Sequence, residues 1–238
     1  MRQKMMLIQV YEPEREHFIE KHNFFVNESN KRIISQFSDI EGDSDKFADD
    51  WLDSSQQYFD PEYDDAGSFY ERANEKALEH YFLLSDMKKN AILAMTASIF
   101  HHWDKTFRAW MVKELRFTTD KKSADEIWNA SLPKIAGFFK LHGWDMAAEP
   151  AMKKIMVLQE VVNAYKHGEG RSFKNLTENH TEYLDDYLNQ MNVDEPGRYK
   201  ARYENLCVSE KQFAEFADAI RSFWNAIPAA LYWRENEE

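Results

Sequence analysis

Residues 87–117 read MKKNAILAMTASIFHHWDKTFRAWMVKELRF, and the spacing within them decides the fold class. Core-type side chains recur at Ile92, Thr96, Ile99, Trp103, Phe107 and Trp110. Steps of three and four return a side chain to one face of a 3.6-residue helical turn, whereas a half-buried strand needs strict alternation. The other side carries His101, Asp104 and Arg108, again at i, i+3 and i+7. Asp104 and Arg108 stand four apart, the separation of an intrahelical ion pair. The stretch predicts a long amphipathic helix with one wet, partly charged face.

Helix signals continue in both directions. Upstream, Ser68-x-x-Glu71 is a capping box for a helix running to about Leu84, where Ser85 and Asp86 break it or cap a second one. Asp60–Gly67, with Pro61 and three aspartates, reads as a linker. Before it, Pro13 opens a helix through Gln36, Glu41–Asp50 reads as an acidic turn, and a short helix follows at Trp51 and Leu52. Met5–Val10 is a short strand or a buried terminal run. Downstream, Ser123-x-x-Glu126 opens a helix bearing Ile127 and Trp128. Pro133 starts another that ends near Gly143, and Asp145 caps the helix leading to Leu158. A polar stretch containing Asp185, Asp186, Pro196 and Gly197 reads as a long connection, and Arg202–Val208 as a candidate strand. Ser209-x-x-Gln212 then launches a helix carrying Phe213, Phe216, Ile220, Phe223, Trp224 and Ile227, weakened at Pro228. Seven glycines and six prolines are too few for an all-β chain of this length. The expectation is an all-α (mainly α) protein: an N-terminal helical extension over 1–62 and a multi-helix domain over 68–238.

Composition excludes several classes. A net charge of −12 opposes a general nucleic-acid or anionic-membrane surface. With 15% aromatics, the chain is too apolar to be disordered throughout. Cys207, the single cysteine, allows no internal disulfide and no CxxC zinc site, which fits a reducing cytosol. The apolar run in MRQKMMLIQV is too short for a signal peptide, and nothing approaches the roughly 18 apolar residues of a membrane span. A cytoplasmic protein without a membrane partner is expected. Glu14 and His17 form one E-x-x-H pair, but a di-iron bundle needs a second, which is missing. No metal or cofactor is expected.

Leu158–Leu176, LQEVVNAYKHGEGRSFKNL, concentrates the chemistry. Glu160, Asn163 and His167 share one helix face, while Ile155, Leu158, Val162 and Tyr165 fall on a neighbouring, core-like one. The helix runs into Gly168, with Gly170 two residues on. Gly168 then reads as a C-cap and His167 as a partner for the helix dipole. Between Met152 and Lys174, five cations (Lys153, Lys154, Lys166, Arg171 and Lys174) face only Glu160 and Glu169, a local charge of +3 in an acidic chain. Such an island suits a phosphate ligand or, equally, a solvated helix face.

The string Asn163–His167, NAYKH, resembles the N-box of GHKL ATPases, but no D-x-G-x-G or glycine-rich lid follows it. It also resembles the HEPN superfamily, whose site reads R-x(4–6)-H with asparagine directly after the arginine. Asn163 and His167 match; the arginine position holds Val162. More broadly, His101–Lys105 (H-x-W-[DE]-K), Val162–Ser172 (V-N-A-x-K-H-G-x-G-x-S) and Leu206–Trp224 resemble a group of bacterial helical proteins of HEPN-like character, over roughly Ala91–Ile227. That resemblance implies an HEPN-like bundle, a homodimer, and a metal-independent endoribonuclease of toxin–antitoxin or phage-defence type. RNA would be its substrate, and an antitoxin or another protein its partner. In that chemistry His167 moves the proton of the 2′-hydroxyl, Asn163 orients His167 or donates to a phosphate oxygen, and Lys166 offsets charge on the phosphate. Lys153, Lys154, Arg171 and Lys174 would contact phosphate, and Asp104 would match an acidic residue supplied by an earlier long helix. His101, Gly168 and Gly170 support the site. The competing expectation is a non-catalytic helical dimerisation or interaction module with a decayed site, or one that binds a phosphate or nucleotide without cleavage. There Asn163 caps backbone groups and His167 bonds the following loop.

Overall fold

A computed structural model describes residues 6–116, 125–185 and 200–233. Among these residues the protein is mainly α, with seven α-helices and one two-stranded sheet. The expected capping box at Ser123, the loop residues Asp186, Pro196 and Gly197, and Met5 lie outside the described residues.

The helix predicted over 87–117 is the second half of a longer one. Helix α3 runs Ala66–Leu115, 50 residues without interruption. Ser85 and Asp86 do not break it, because each costs only about 0.5–0.7 kcal/mol relative to alanine and no glycine or proline follows Gly67 before Leu115. Its start lies two residues ahead of Ser68. The Asp65 side chain accepts from the Gly67 amide at 3.2 Å, and the Ser68 hydroxyl donates to the Asp65 carbonyl. Asp65 thus fills the capping place expected of Ser68.

The chain divides into two compact units, Glu28–Ile92 on one hand and Met1–Asn27 with Leu93–Glu238 on the other. Both boundaries fall inside helices, α1 (Glu12–Arg32) and α3, rather than in Asp60–Gly67.

In the smaller unit, α2 (Ile40–Ser55) occupies the segment read as an acidic turn. Asp39 caps it by accepting from the Gly42 amide at 3.1 Å, and Glu41 and Asp43 complement the positive end of the helix dipole. Ser44 and Ala48 face inward four residues apart. Against α3, Phe47 stacks on His80 at 4.4 Å, and Phe69 meets Phe59 edge-on at 5.3 Å.

The larger unit is built around aromatic rings. The C-terminal half of α3, α4 (Leu132–Leu141) and α7 (Glu210–Ala226) supply Trp103, Phe107, Phe139, Phe223 and Trp224, all buried. Helix α4 ends in a Schellman arrangement: Trp144 N–H donates to Phe139 O at 3.0 Å and Gly143 N–H to Lys140 O at 3.1 Å, with Gly143 at φ 100°. Asp145 does not cap α5 (Pro150–His167). It opens a 3-10 turn at Met146–Ala148 and pairs with Lys140 at 2.8 Å, while Glu149 stands before Pro150. Helix α6 spans Arg171–Asn179. The Ser209/Gln212 box forms as expected, with reciprocal bonds of 3.2 and 2.8 Å. Arg202–Val208 contributes no ladder strand; it holds a 3-10 turn at Tyr203–Asn205 and one antiparallel bridge, Leu206 with Leu184. The sheet pairs β1 (Met6–Gln9) with β2 (Ala230–Tyr232), burying Leu7 and Ile8.

Helix α1 is tied to α7 by two buried polar side chains. Arg15 donates to the carbonyls of Trp224 and, at 2.9 Å, Ile227, satisfying acceptors that the end of α7 leaves open. His22 Nε2 lies 2.9 Å from the Ala217 carbonyl. Desolvation lowers the His22 pKa, only partly opposed by that carbonyl, so the neutral imidazole is favoured as the donor.

Candidate functional site

The candidate site is the C-terminal end of α5. Ile155, Leu158, Val161, Val162 and Ala164 are buried, which turns Asn163 to the half-exposed side and leaves Lys166 and His167 exposed in the last turn. The helix stops at Gly168, whose φ of 71° and ψ of −143° suit glycine and strain any other residue. Its amide still donates to Ala164 O at 2.8 Å, and Gly170 N–H turns back onto Gly168 O at 2.7 Å. Tyr203 closes over the helix end: its hydroxyl donates to Tyr165 O at 3.2 Å and its amide to Glu169 Oε1 at 3.3 Å.

The two glycines differ in kind. A Cβ on either meets nothing within 4 Å, but only Gly168 has a positive φ. Gly168→Ala should lower the unfolding free energy by about 1–3 kcal/mol. Gly170→Ala, in extended backbone, should change it by no more than about 0.5 kcal/mol. Urea denaturation of both variants checks the contrast.

The expected site residues separate into two groups. The side chains of Asn163, Lys166, His167, Lys153 and Arg171 make no hydrogen bond or ion pair with other described residues, and that of Lys174 has only a long pairing with Glu178 at 3.7 Å. The others have structural employment. Lys154 donates to Tyr183 OH and Glu215 Oε2, both at 2.9 Å, and lies over the Tyr183 and Phe216 rings. Asp104 receives Arg108 Nε on both oxygens, at 2.8 and 2.9 Å. Arg108, 8% exposed, also donates to Ile127 O at 2.6 Å and Ala130 O at 2.7 Å. The aspartate therefore orients a buried guanidinium that secures residues 127–130.

His101 lies near α5 as well. Desolvation lowers its pKa; Asp104 opposes that shift, and the charges of Lys105 and Lys166 reinforce it. Lys166 thus lies close enough to His101 for its charge to act on the imidazole. Val162, at the position where the resemblance expects arginine, is 2% exposed. Glu160, on the Asn163 face, has one carboxylate oxygen buried without a hydrogen-bond partner.

Glu14, half of the E-x-x-H pair, accepts Lys113 Nζ on both oxygens at 2.9 Å. Among the described residues no three His, Cys, Asp or Glu side chains are grouped to hold a metal, and no helix is long and apolar enough to cross a membrane. Comparison with protein-family profiles, with characterised proteins and with solved structures returns no match.

Proposed function

We propose that this chain is a non-catalytic helical interaction module of HEPN-like type, acting in the cytoplasm as a homodimer. The observation that carries the reading is the burial of Val162. A phosphate clamp at that position would require a guanidinium pointing into an apolar core, where an unpaired cation costs several kcal/mol. Two further polar residues of the expected site, Asp104 and Lys154, support the same reading, since their partners are structural.

A second reading has its own support. The side chains of Asn163, Lys166 and His167 have no hydrogen-bond or ion-pair partner among the described residues and share one helix end, an arrangement suited to a metal-independent endoribonuclease. A neutral His167 on one subunit would take the 2′-hydroxyl proton while a protonated copy on the other released the 5′-oxygen.

Incubating total RNA with the purified protein in EDTA separates the two. No cleavage is expected from the wild type or from His167→Ala, and light scattering should give the mass of two 28.3 kDa chains for both. Cleavage by the wild type alone, leaving 2′,3′-cyclic phosphate ends, would establish the nuclease. A monomeric mass would remove the dimer.

A further inference from the structure

The smaller unit carries a surface that the α5 site does not use. Residues 28–92 hold sixteen carboxylates against seven lysines and arginines, a net charge of −9 within a chain of −12. The charge is ordered. Glu41, Asp45, Asp49 and Asp53 recur every four residues along α2, a ridge of exposed carboxylates on one face. None of them is in an ion pair with a described residue; Asp53 accepts only a 3.3 Å bond from Gln56.

Beside the ridge runs the seam between α2 and α3, opened by two grooves. One, of about 730 Å³, has Asp49 and Asp53 on its α2 side and Phe69 and Tyr70 on its α3 side, and is also lined by Leu52 and Phe59. The other, of about 360 Å³, has Glu41 and Asp45 opposite Leu78 and Tyr81. Tyr70 is 63% exposed and Leu78 55%, so an apolar stripe lies open to water alongside the acidic ridge. Like charges four apart on a helix repel, so the ridge weakens α2 in isolation. Solubility requires negative charge, but neither this spacing nor the parallel apolar stripe.

We infer that the α2–α3 seam docks an amphipathic helix of a partner protein, one whose lysines or arginines recur every four residues beside an aliphatic stripe. The cations would lie along Glu41, Asp45, Asp49 and Asp53, and the apolar side chains would enter the two grooves. From Glu41 to Asp53 is twelve residues, a reach of about 18 Å at 1.5 Å per residue, so a partner helix of three to four turns matches it. The negative field rules out nucleic acid and would accelerate encounter with a basic segment. This inference does not depend on how the α5 terminus is read.

The test uses the full chain and a synthetic helix of lysine and leucine in that pattern. Two control helices accompany it, one with glutamate for lysine and one with serine for leucine. Fluorescence anisotropy should show binding of the Lys–Leu helix to the wild type and neither control. Affinity should fall at least about tenfold in Asp45→Lys/Asp49→Lys. That variant should acquire affinity for the Glu–Leu helix, a gain that misfolding cannot produce. Leu78→Ser, an exposed substitution, should weaken the Lys–Leu helix without altering the melting temperature. No binding by the wild type, equal affinity for the charge-reversed variant, or equal binding of the Lys–Ser helix would each overturn the inference. So would self-association of the wild type that the same charge reversal abolishes, which would give the seam to a second copy of the chain.

Discussion

Arg108→Ala is expected to lower the unfolding free energy by about 3–5 kcal/mol, the range found when one partner of a buried ion pair is removed. Asp104 and two backbone carbonyls accept the short bonds of this guanidinium. Asp104 takes Nε on both oxygens, and the carbonyls of Ile127 and Ala130 take Nη1 at 2.6 and 2.7 Å. Removing it strands a carboxylate that is about four-fifths covered, together with two carbonyls. Arg108→Lys keeps the charge but not the fork and should recover only part of the loss. Asp104→Ala should also destabilise, by leaving the guanidinium without its counter-ion. Denaturant unfolding of the three variants is the check. A loss below about 1 kcal/mol in Arg108→Ala would mean that water replaces these bonds, and would release Asp104 for a role in chemistry.

The same pair shows what a single chain discloses before it is folded. The four-residue step from Asp104 to Arg108 is local and was legible; the carbonyls of Ile127 and Ala130, nineteen and twenty-two residues onward, were not. Lys154 repeats the lesson, since counting it in a basic island ignores Glu215, 61 residues away, which holds it. Arg15 and His22 bond to backbone carbonyls of α7 and just beyond it, about two hundred residues distant. Carbonyls have no sequence signature, so these two side chains look like ordinary polar positions of α1. The helix at 87–117 was legible because one period runs through its buried residues. Its extension back to Ala66 was obscured by Ser85 and Asp86, whose weak preferences a continuous turn of backbone hydrogen bonds overrides. In α2, charge density masked a helix that its N-cap and its dipole favour. At the α5 end, the periodicity placed Val162 on the core side, as the structure does. The motif resemblance and the hydrophobic period therefore make different demands on position 162, and packing meets the second.

Phe107→Ala is the other large expected effect, about 3–5 kcal/mol from lost burial and the cavity left behind. Phe107 has no exposed surface and sits where α3, α4 and α7 meet. Its ring stacks on Trp103 at 5.5 Å and Phe139 at 6.0 Å, and stands edge-on to Phe223 at 5.1 Å. The edge-on contact adds to simple burial, because the positive rim of one ring meets the negative face of the other. Phe107→Leu should cost less, since the smaller side chain fills part of the space. Phe82→Ala provides the opposite case: Phe82 is 60% exposed on the N-terminal half of the same helix, and its removal should shift stability by no more than about 0.5 kcal/mol. Urea titration of the three variants measures both ends of the range. If Phe82→Ala proved as costly as Phe107→Ala, the exposed aromatics of α3 would be covered in solution, and the smaller unit would have no open apolar stripe to offer a partner. If the difference stands, α3 serves two purposes along one helix: its second half is held by a closed aromatic core, while its first half keeps apolar side chains in water beside a row of carboxylates.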